Sequence, residues 1–164
     1  MSEFRIEKRR TQAALTLSTG AVVHGCFFLA GARPSHAGPE RVADLLNNAE
    51  NGFFPFEFMS DNGLRTALIN RAQVVEIRLL EGEDEARADP GYAVATEREV
   101  CMLLSIGRQV TGRVRVQLPT GRDRLSDYTR APEAFRYVET AEGTLIVNSA
   151  HIVELREANH DPRN

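Results

Sequence analysis

The fold of this 164-residue chain is decided by a stretch that occurs twice, Leu15-Thr-Leu-Ser-Thr-Gly20-Ala-Val-Val-His-Gly25 and Met102-Leu-Leu-Ser-Ile-Gly107-Arg-Gln-Val-Thr-Gly112. In each copy two apolar runs flank a glycine-containing turn, which is the pattern of a β-hairpin. Gly25 and Gly112 fall inside the second strand, where a glycine usually marks a bulge or a sharp bend. The sequence therefore predicts two bent hairpins of the same kind.

Two further blocks repeat in the same order. A short helical segment with an Arg-x-x-Asp pattern occurs at residues 41–44 and again at 124–127, and residues 67–77 return as 145–155. Each closing block predicts a strand, a tight 3₁₀-type turn and another strand. The repeated polar residues are Asp44 with Asp127 and Asn70 with Asn148. Three blocks in one order indicate an internally duplicated small domain.

The predicted fold is mainly β, with two tandem five-stranded SH3-like barrels, each with a short inserted helix. The first barrel is expected over residues 12–80 and the second over 100–157. Residues 81–99 hold seven acidic residues and two arginines, which predicts an acidic linker, and residues 158–164 are expected to be a disordered tail. The apolar pattern predicts a core of Val42, Leu45, Phe56, Ile69, Val74 and Ile77 in the first copy and Leu125, Tyr128, Tyr137, Val147, Ile152 and Leu155 in the second.

Composition argues against several classes of protein. A net charge of −3 and an isoelectric point near 5.8 disfavour a dedicated polyanion binder. No apolar run is long enough to span a membrane, and the first ten residues lack a signal-peptide pattern, so a cytoplasmic location is expected. The histidines and cysteines lack metal-ligand spacing, and no catalytic or nucleotide-binding motif stands out. We therefore predict no enzyme, no metal and no cofactor.

The repeated blocks carry a family resemblance. The segments around Gly107 and Asn148 resemble the first and second halves of the Sm-like motif. A closer similarity is to a bacterial domain family, with no assigned activity to our knowledge, that carries an Arg-Leu-Ser-Asp-Tyr-type segment between those halves, as Arg124-Leu-Ser-Asp127-Tyr128 does here. The resemblance implies an Sm-like barrel in each copy, and it implies a fold rather than an activity.

A second resemblance concerns the N-terminal segment. Arg5-Ile-Glu-Lys-Arg9 is similar to the Arg-x-x-x-Arg element of PilZ domains, which bind cyclic di-GMP. It makes Arg5 and Arg9 candidates for nucleotide binding. RNA or nucleotide binding, of the Sm-like or the PilZ-like kind, is therefore the alternative function.

Arginines of the second copy are candidates for binding phosphate or RNA, because a guanidinium donates two parallel hydrogen bonds to such groups. Arg113 and Arg115 share one face of a predicted strand. Residues 100–155 hold seven arginines but also six acidic residues, so a solvated surface of paired charges is the simpler explanation. The candidates are Arg108, Arg113, Arg115, Arg122 and Arg124.

The repeated polar residues have two interpretations. Asp44, Asp127, Asn70 and Asn148 either form a repeated site for a ligand or partner, or they have local roles. The local roles are pairing of each aspartate with its own arginine and bonding of each asparagine to the backbone of the following turn. We favour the local interpretation.

The function that we expect is a non-catalytic bacterial binding or regulatory module. Small barrels of this type offer edge strands and loops to partner proteins or to further copies of themselves. A protein partner or self-association is therefore expected. RNA is disfavoured by the charge balance, and no membrane association is expected.

Overall fold

The structure is a computed structural model that describes residues 8–31, 39–48, 52–80, 82–88, 91–116 and 125–158. These residues form a mainly β protein of ten strands and three short α-helices. Three of the predicted arginines, Arg5, Arg122 and Arg124, lie outside the described residues, as does residue 159 onward of the predicted tail.

The first half contains the predicted hairpin, helix, second hairpin and 3₁₀ turn in the expected order. Its elements are β1 (Lys8–Leu17), β2 (Val22–Ala30), α1 (Val42–Asn47), β3 (Phe53–Ser60), β4 (Gly63–Asn70), the 3₁₀ turn Arg71–Gln73 and β5 (Val74–Leu79). The second half repeats this order. Its elements are β6 (Thr96–Leu104), β7 (Gln109–Val116), α3 (Leu125–Thr129), β8 (Phe135–Thr140), β9 (Gly143–Asn148), the 3₁₀ turn Ser149–His151 and β10 (Ile152–Glu157).

The segment between the halves is more structured than the acidic linker that composition suggested. It contains α2 (Gly82–Arg87) and the 3₁₀ turn Tyr92–Val94, and β6 begins before residue 100. Glu85 accepts hydrogen bonds from the Val42 backbone amide at 2.9 Å and from the Tyr137 hydroxyl at 2.9 Å. These contacts join α2 to both halves, and a composition argument cannot reveal them because they depend on distant residues.

All ten strands belong to one antiparallel sheet with the order β10-β6-β7-β8-β9-β5-β1-β2-β3-β4. The expectation of two separate five-stranded barrels is thereby corrected to a single unclosed sheet. A barrel within the second half would require the edge of β9 to pair with β10. The physical reason for the difference is that β9 pairs with β5 of the first half instead. Each half nevertheless contributes its strands in the same spatial order, fifth, first, second, third and fourth.

Two hydrophobic clusters form the core, and each contains residues of both halves. In the first cluster Phe27 packs against Phe56 with ring centroids 5.2 Å apart, and Phe135 and Ile146 join from the second half. The second cluster receives Val75 from the first half. The two halves therefore share their apolar cores.

The predicted core is correct in part. Six of its residues are buried, namely Val42, Phe56, Val74, Ile77, Tyr128 and Val147. The other six are half-buried. Ile69, Ile152 and Leu155 are among these because they lie on β4 and β10, which pair with a strand of the described residues on one side only.

The repeated glycines mark the places where β2 and β7 pass closest to the next strand. A Cβ atom at Gly112 would lie 2.6 Å from the carbonyl oxygen of Glu139, and one at Gly25 would overlap the carbonyl oxygen of Glu57. No side chain fits at these distances, so both positions require glycine. The matching contacts also show that Glu57 and Glu139 occupy equivalent positions in the two halves.

Candidate functional site

The halves are joined by the antiparallel pairing of β5 with β9, which we call the internal junction. Its register pairs Glu76 with Val147, Ile77 with Ile146 and Arg78 with Leu145. Ile77 and Ile146 are both buried. The junction therefore combines strand hydrogen bonds with a buried apolar contact.

Asn148 belongs to this junction. Its Oδ1 accepts a hydrogen bond from the Ala150 amide at 3.1 Å, and its Nδ2 donates to the Val74 carbonyl of the other half at 2.9 Å. Asn70 makes the equivalent turn contact, accepting from the Ala72 amide at 3.0 Å. Both asparagines thus cap a 3₁₀ turn, and Asn148 additionally bridges the two halves.

His151 adds a second polar bridge. Its Nε2 lies 2.6 Å from the Ala72 carbonyl oxygen, and its Nδ1 lies 2.8 Å from the Ser105 hydroxyl. Because a carbonyl oxygen only accepts, Nε2 carries the proton of a neutral ring and Nδ1 accepts from Ser105. The imidazole therefore links the turn before β5 to the turn between β6 and β7.

Two ion pairs flank the internal junction. Glu76 pairs with Arg108 of the second half, and Arg78 lies 3.7 Å from the Glu142 carboxylate. Glu76 is only 4% exposed, and its Oε2 has no hydrogen-bond partner among the described residues. Burial raises the pKa of Glu76, although the positive charges of Arg108 and Arg78 oppose the shift.

The sheet ends in two outer edges, the sides of β4 and β10 that pair with no other strand of the described residues. Leu68 on β4 is 70% exposed and Val153 on β10 is 66% exposed. Their equivalents at the internal junction, Ile146 and Val75, are buried. Apolar side chains are thus exposed at the outer edges, whereas the equivalent side chains at the internal junction are covered.

A cleft of about 730 Å³ lies between α1, α3, β7 and β8. Arg113 and Arg115 line it, and so do Asp44 and Asp127. Arg108 does not line it, because this residue lies at the internal junction instead. The predicted arginines therefore do not converge on one groove within the described part of the chain.

Two arginines of the cleft, Arg113 and Arg115, already have carboxylate partners. Arg113 pairs with Glu97 at 3.2 Å and with Glu139 at 3.6 Å, while Arg115 donates to Glu139 at 3.2 Å. The Arg115 guanidinium also lies 3.6 Å from the centre of the Tyr92 ring. Burial acts to raise the pKa of Glu139, but hydrogen bonds from Tyr92 and Arg115 and the nearby arginine charges outweigh it and lower the pKa. This network attaches the 3₁₀ turn at Tyr92 to the sheet.

The repeated aspartates make local contacts. Asp44 accepts hydrogen bonds from the Arg41 guanidinium at 3.0 and 3.1 Å and from the Arg41 backbone amide at 3.0 Å. Asp127 lies 4.0 Å from the guanidinium of Arg130. Arg9, the described member of the PilZ-like pair, donates to the Glu40 carbonyl at 3.1 Å. Each aspartate thus pairs with an arginine three residues away, whereas Arg9 contacts a residue that is distant in the chain.

The described residues contain neither a metal-ion cluster nor a membrane-spanning helix. In that part of the chain no group of three histidine, cysteine, aspartate or glutamate side chains could hold a metal ion. None of its helices has the length and apolar character needed to cross a membrane. Comparison with protein-family models, curated proteins and solved structures found no significant match.

Sequence reasoning missed Glu76, Arg78 and Glu142 as residues of the internal junction, and it considered Arg108 only as a phosphate-binding candidate. The signal was present, because Glu76-Ile-Arg78 returns as Glu154-Leu-Arg156 in the closing block. The significance of the repeat depends on which strand lies beside each copy, and this is decided by the pairing of β5 with β9.

Proposed function

We propose that this protein is a non-catalytic assembly module built from two Sm-like units, and that it pairs the outer edges of its sheet with other copies of itself. The observation that carries the proposal is the internal junction, in which the fifth strand of one half pairs with the fourth strand of the other. The outer edges are likewise a fourth strand, β4 of the first half, and a fifth strand, β10 of the second half. A second copy can therefore meet them in an arrangement that the chain already uses internally.

The register between copies follows from the repeat. Asn70 is equivalent to Asn148, and Val74 is equivalent to Ile152, since each pair borders a 3₁₀ turn in the same way. Transferring the internal register to the outer edges places Ile69 opposite Glu154, Leu68 opposite Leu155 and Ala67 opposite Arg156. Asn70 would then face the Ile152 carbonyl as Asn148 faces that of Val74.

Apolar burial and backbone pairing both favour this contact. An edge strand presents unpaired amide and carbonyl groups, which pair readily with another strand. Leu68 is 70% exposed, and complete burial of a leucine side chain stabilises by roughly 1.5–3 kcal/mol. Because β4 and β10 lie at opposite ends of the sheet, the contact is head to tail, and repetition gives a closed ring or a filament.

RNA binding has less support from the described residues. Arg108, Arg113 and Arg115 each pair with a glutamate, so phosphate would have to compete with carboxylates already in place. The proposed assembly requires no such exchange of partners.

The test is the molar mass in solution, measured by size-exclusion chromatography with light scattering over a concentration series. We expect masses above the 18.2 kDa monomer that increase with concentration. Leu68→Lys should return the protein to monomer, because an edge lysine opposes strand addition. Leu80→Lys is the matched control, since Leu80 is 79% exposed but lies on neither outer edge. A monomer at every concentration, or equal effects of both variants, would refute the proposal.

Disulfide trapping tests the register. With Cys26 and Cys101 changed to serine, Leu68→Cys together with Leu155→Cys should form intermolecular disulfides, because directly paired residues fall within bonding distance. Leu64→Cys with Leu155→Cys is the control, since Leu64 lies four residues from Leu68 on the same strand. Equal trapping by both pairs would contradict the register.

A further inference from the structure

The ion pairs of the internal junction follow a pattern of alternating charge. On β5 the first half presents a glutamate and an arginine on one strand face, Glu76 and Arg78. The second half contributes an arginine and a glutamate, Arg108 in the turn between β6 and β7 and Glu142 in the turn between β8 and β9. Each charge of β5 thus meets its opposite across the junction.

The outer strand β10 carries the same two charges as β5. Glu154 and Arg156 of β10 are the equivalents of Glu76 and Arg78, and they pair with each other at 3.5 Å. Both side chains are more than half exposed. In the proposed assembly these two charges would lie at the junction between one copy and the next.

The residue equivalent to Arg108 in the first half is Ala21. Both follow a turn glycine, and the two turns have the same hydrogen bonds: the Leu17 amide donates to the Ala21 carbonyl at 2.9 Å, and the Leu104 amide donates to the Arg108 carbonyl at 2.8 Å. The first half therefore has an alanine at the position that corresponds to Arg108, the cation of the internal junction.

The place of Glu142 relative to the junction falls at Leu64 in the first half. Glu57 pairs with Thr66 where Glu139 pairs with Thr144, and β4 continues two residues further before its turn than β9 does. The edge of β4 thus has neither an arginine at the position of Arg108 nor a glutamate at the position of Glu142. Ala21 and Leu64 are both exposed.

We infer that these charges sort the two kinds of junction: opposite charges fix β5 to β9 within a chain, while the edge of β4, which lacks counterparts of Arg108 and Glu142, makes the junction between chains weaker and reversible. The inference rests on the proposed assembly and specifies its partner surface.

The one charged residue of β4 is Arg65, which shares a strand face with Ala67 and would lie nearer to Arg156 than to Glu154. Strand pairing and Leu68 would hold copies together, whereas Glu154 would enter the junction with Arg156 of its own strand as its nearest cation. Covering a carboxylate without a new partner opposes association.

The experiment installs the missing charges. Ala21→Arg with Leu64→Glu reproduces at β4 the pattern of the internal junction. The dissociation constant between copies should fall by about tenfold, in line with two partly shielded ion pairs. The gain should disappear in about 1 M salt, where charges are screened. Dissociation constants are measured by analytical ultracentrifugation.

The control is Ala21→Glu with Leu64→Arg, which has the same net charge and substitutes the same exposed positions. It places like charges opposite Glu154 and Arg156, so association should weaken relative to the natural protein. Thermal unfolding checks that both variants fold.

The outcomes separate the two proposals. If the natural protein associates but both double variants match it, or both strengthen association equally, the sorting inference is wrong and the assembly stands. If the natural protein and both variants remain monomeric up to about 1 mM, which limits any affinity to roughly −4 kcal/mol, the assembly is refuted and sorting with it.

Discussion

Val75 and Val153 hold equivalent positions on the fifth strand of each half, and their surroundings are opposite. Val75 is fully buried beside β9, whereas Val153 on β10 is 66% exposed. The same residue type in the same local structure thus differs only in whether a neighbouring strand is present. This contrast is the simplest evidence that β10 is suited to receive another strand.

Truncation of these two valines should have different effects on the monomer. Val75→Ala should lower the free energy of unfolding by about 2 kcal/mol, because it removes two buried methyl groups and leaves a cavity. Val153→Ala should change it by about 0.5 kcal/mol or less, as exposed substitutions usually do. Urea denaturation at low protein concentration measures both. Similar losses at the two positions would show that β10 is covered within the monomer.

The asparagines that cap the 3₁₀ turns provide a second matched pair. Asn148→Ala should cost about 1–3 kcal/mol, because it leaves the buried Val74 carbonyl without its side-chain donor and removes a turn cap. Asn70→Ala should cost about 1 kcal/mol, since only the cap to the Ala72 amide is lost. Chemical denaturation compares them. An equal cost would mean that the bridge from Asn148 to Val74 contributes nothing.

The pH dependence of stability should reveal the carboxyl group of Glu76. Burial raises its pKa above the ordinary value of 4.5, although Arg108 and Arg78 oppose the shift. The folded chain therefore binds more protons at this group than the unfolded chain, and the free energy of unfolding decreases as pH rises from 4.5 through the folded-state pKa. Glu76→Gln should make this decrease shallower, and Arg108→Ala should extend it to higher pH.

The measurement is the denaturation midpoint at a series of pH values between about 4 and 8. Glu154→Gln is the matched control, because Glu154 occupies the equivalent position with a side chain that is 60% exposed. It should leave the pH profile of the monomer unchanged. If Glu76→Gln and the natural protein show the same slope, the carboxyl group of Glu76 does not titrate differently on folding.

The predictable parts of the fold are those that depend on neighbouring residues. The turns at Gly20 and Gly107 follow from a glycine with φ of 85° in both copies, a conformation that other residues rarely adopt. The 3₁₀ turns follow from Asn70 and Asn148, whose side chains reach amides two residues further on. Strand alternation and the apolar faces of α1 and α3 are likewise local signals, so these strands and two helices were predicted, whereas α2 was not.

The candidate site was less predictable because its geometry comes from distant segments. Arg108 was a candidate for phosphate binding together with Arg113, and a surface of paired charges was the favoured explanation. Its partner is Glu76, which is contributed by the other half. Glu85 was assigned to a linker, yet it binds the Val42 amide and the Tyr137 hydroxyl. Neither contact can be inferred from local spacing.

The sequence by itself determined the repeated order of strands, turns and helices, since each depends on side-chain alternation, turn glycines and caps within a few residues. Only the tertiary structure decided that β9 pairs with β5 rather than closing a barrel in its own half. Both pairings would satisfy the same backbone groups and apolar faces. The choice between them depends on contacts across the junction, such as Asn148 with Val74 and Arg108 with Glu76, between residues far apart in the chain.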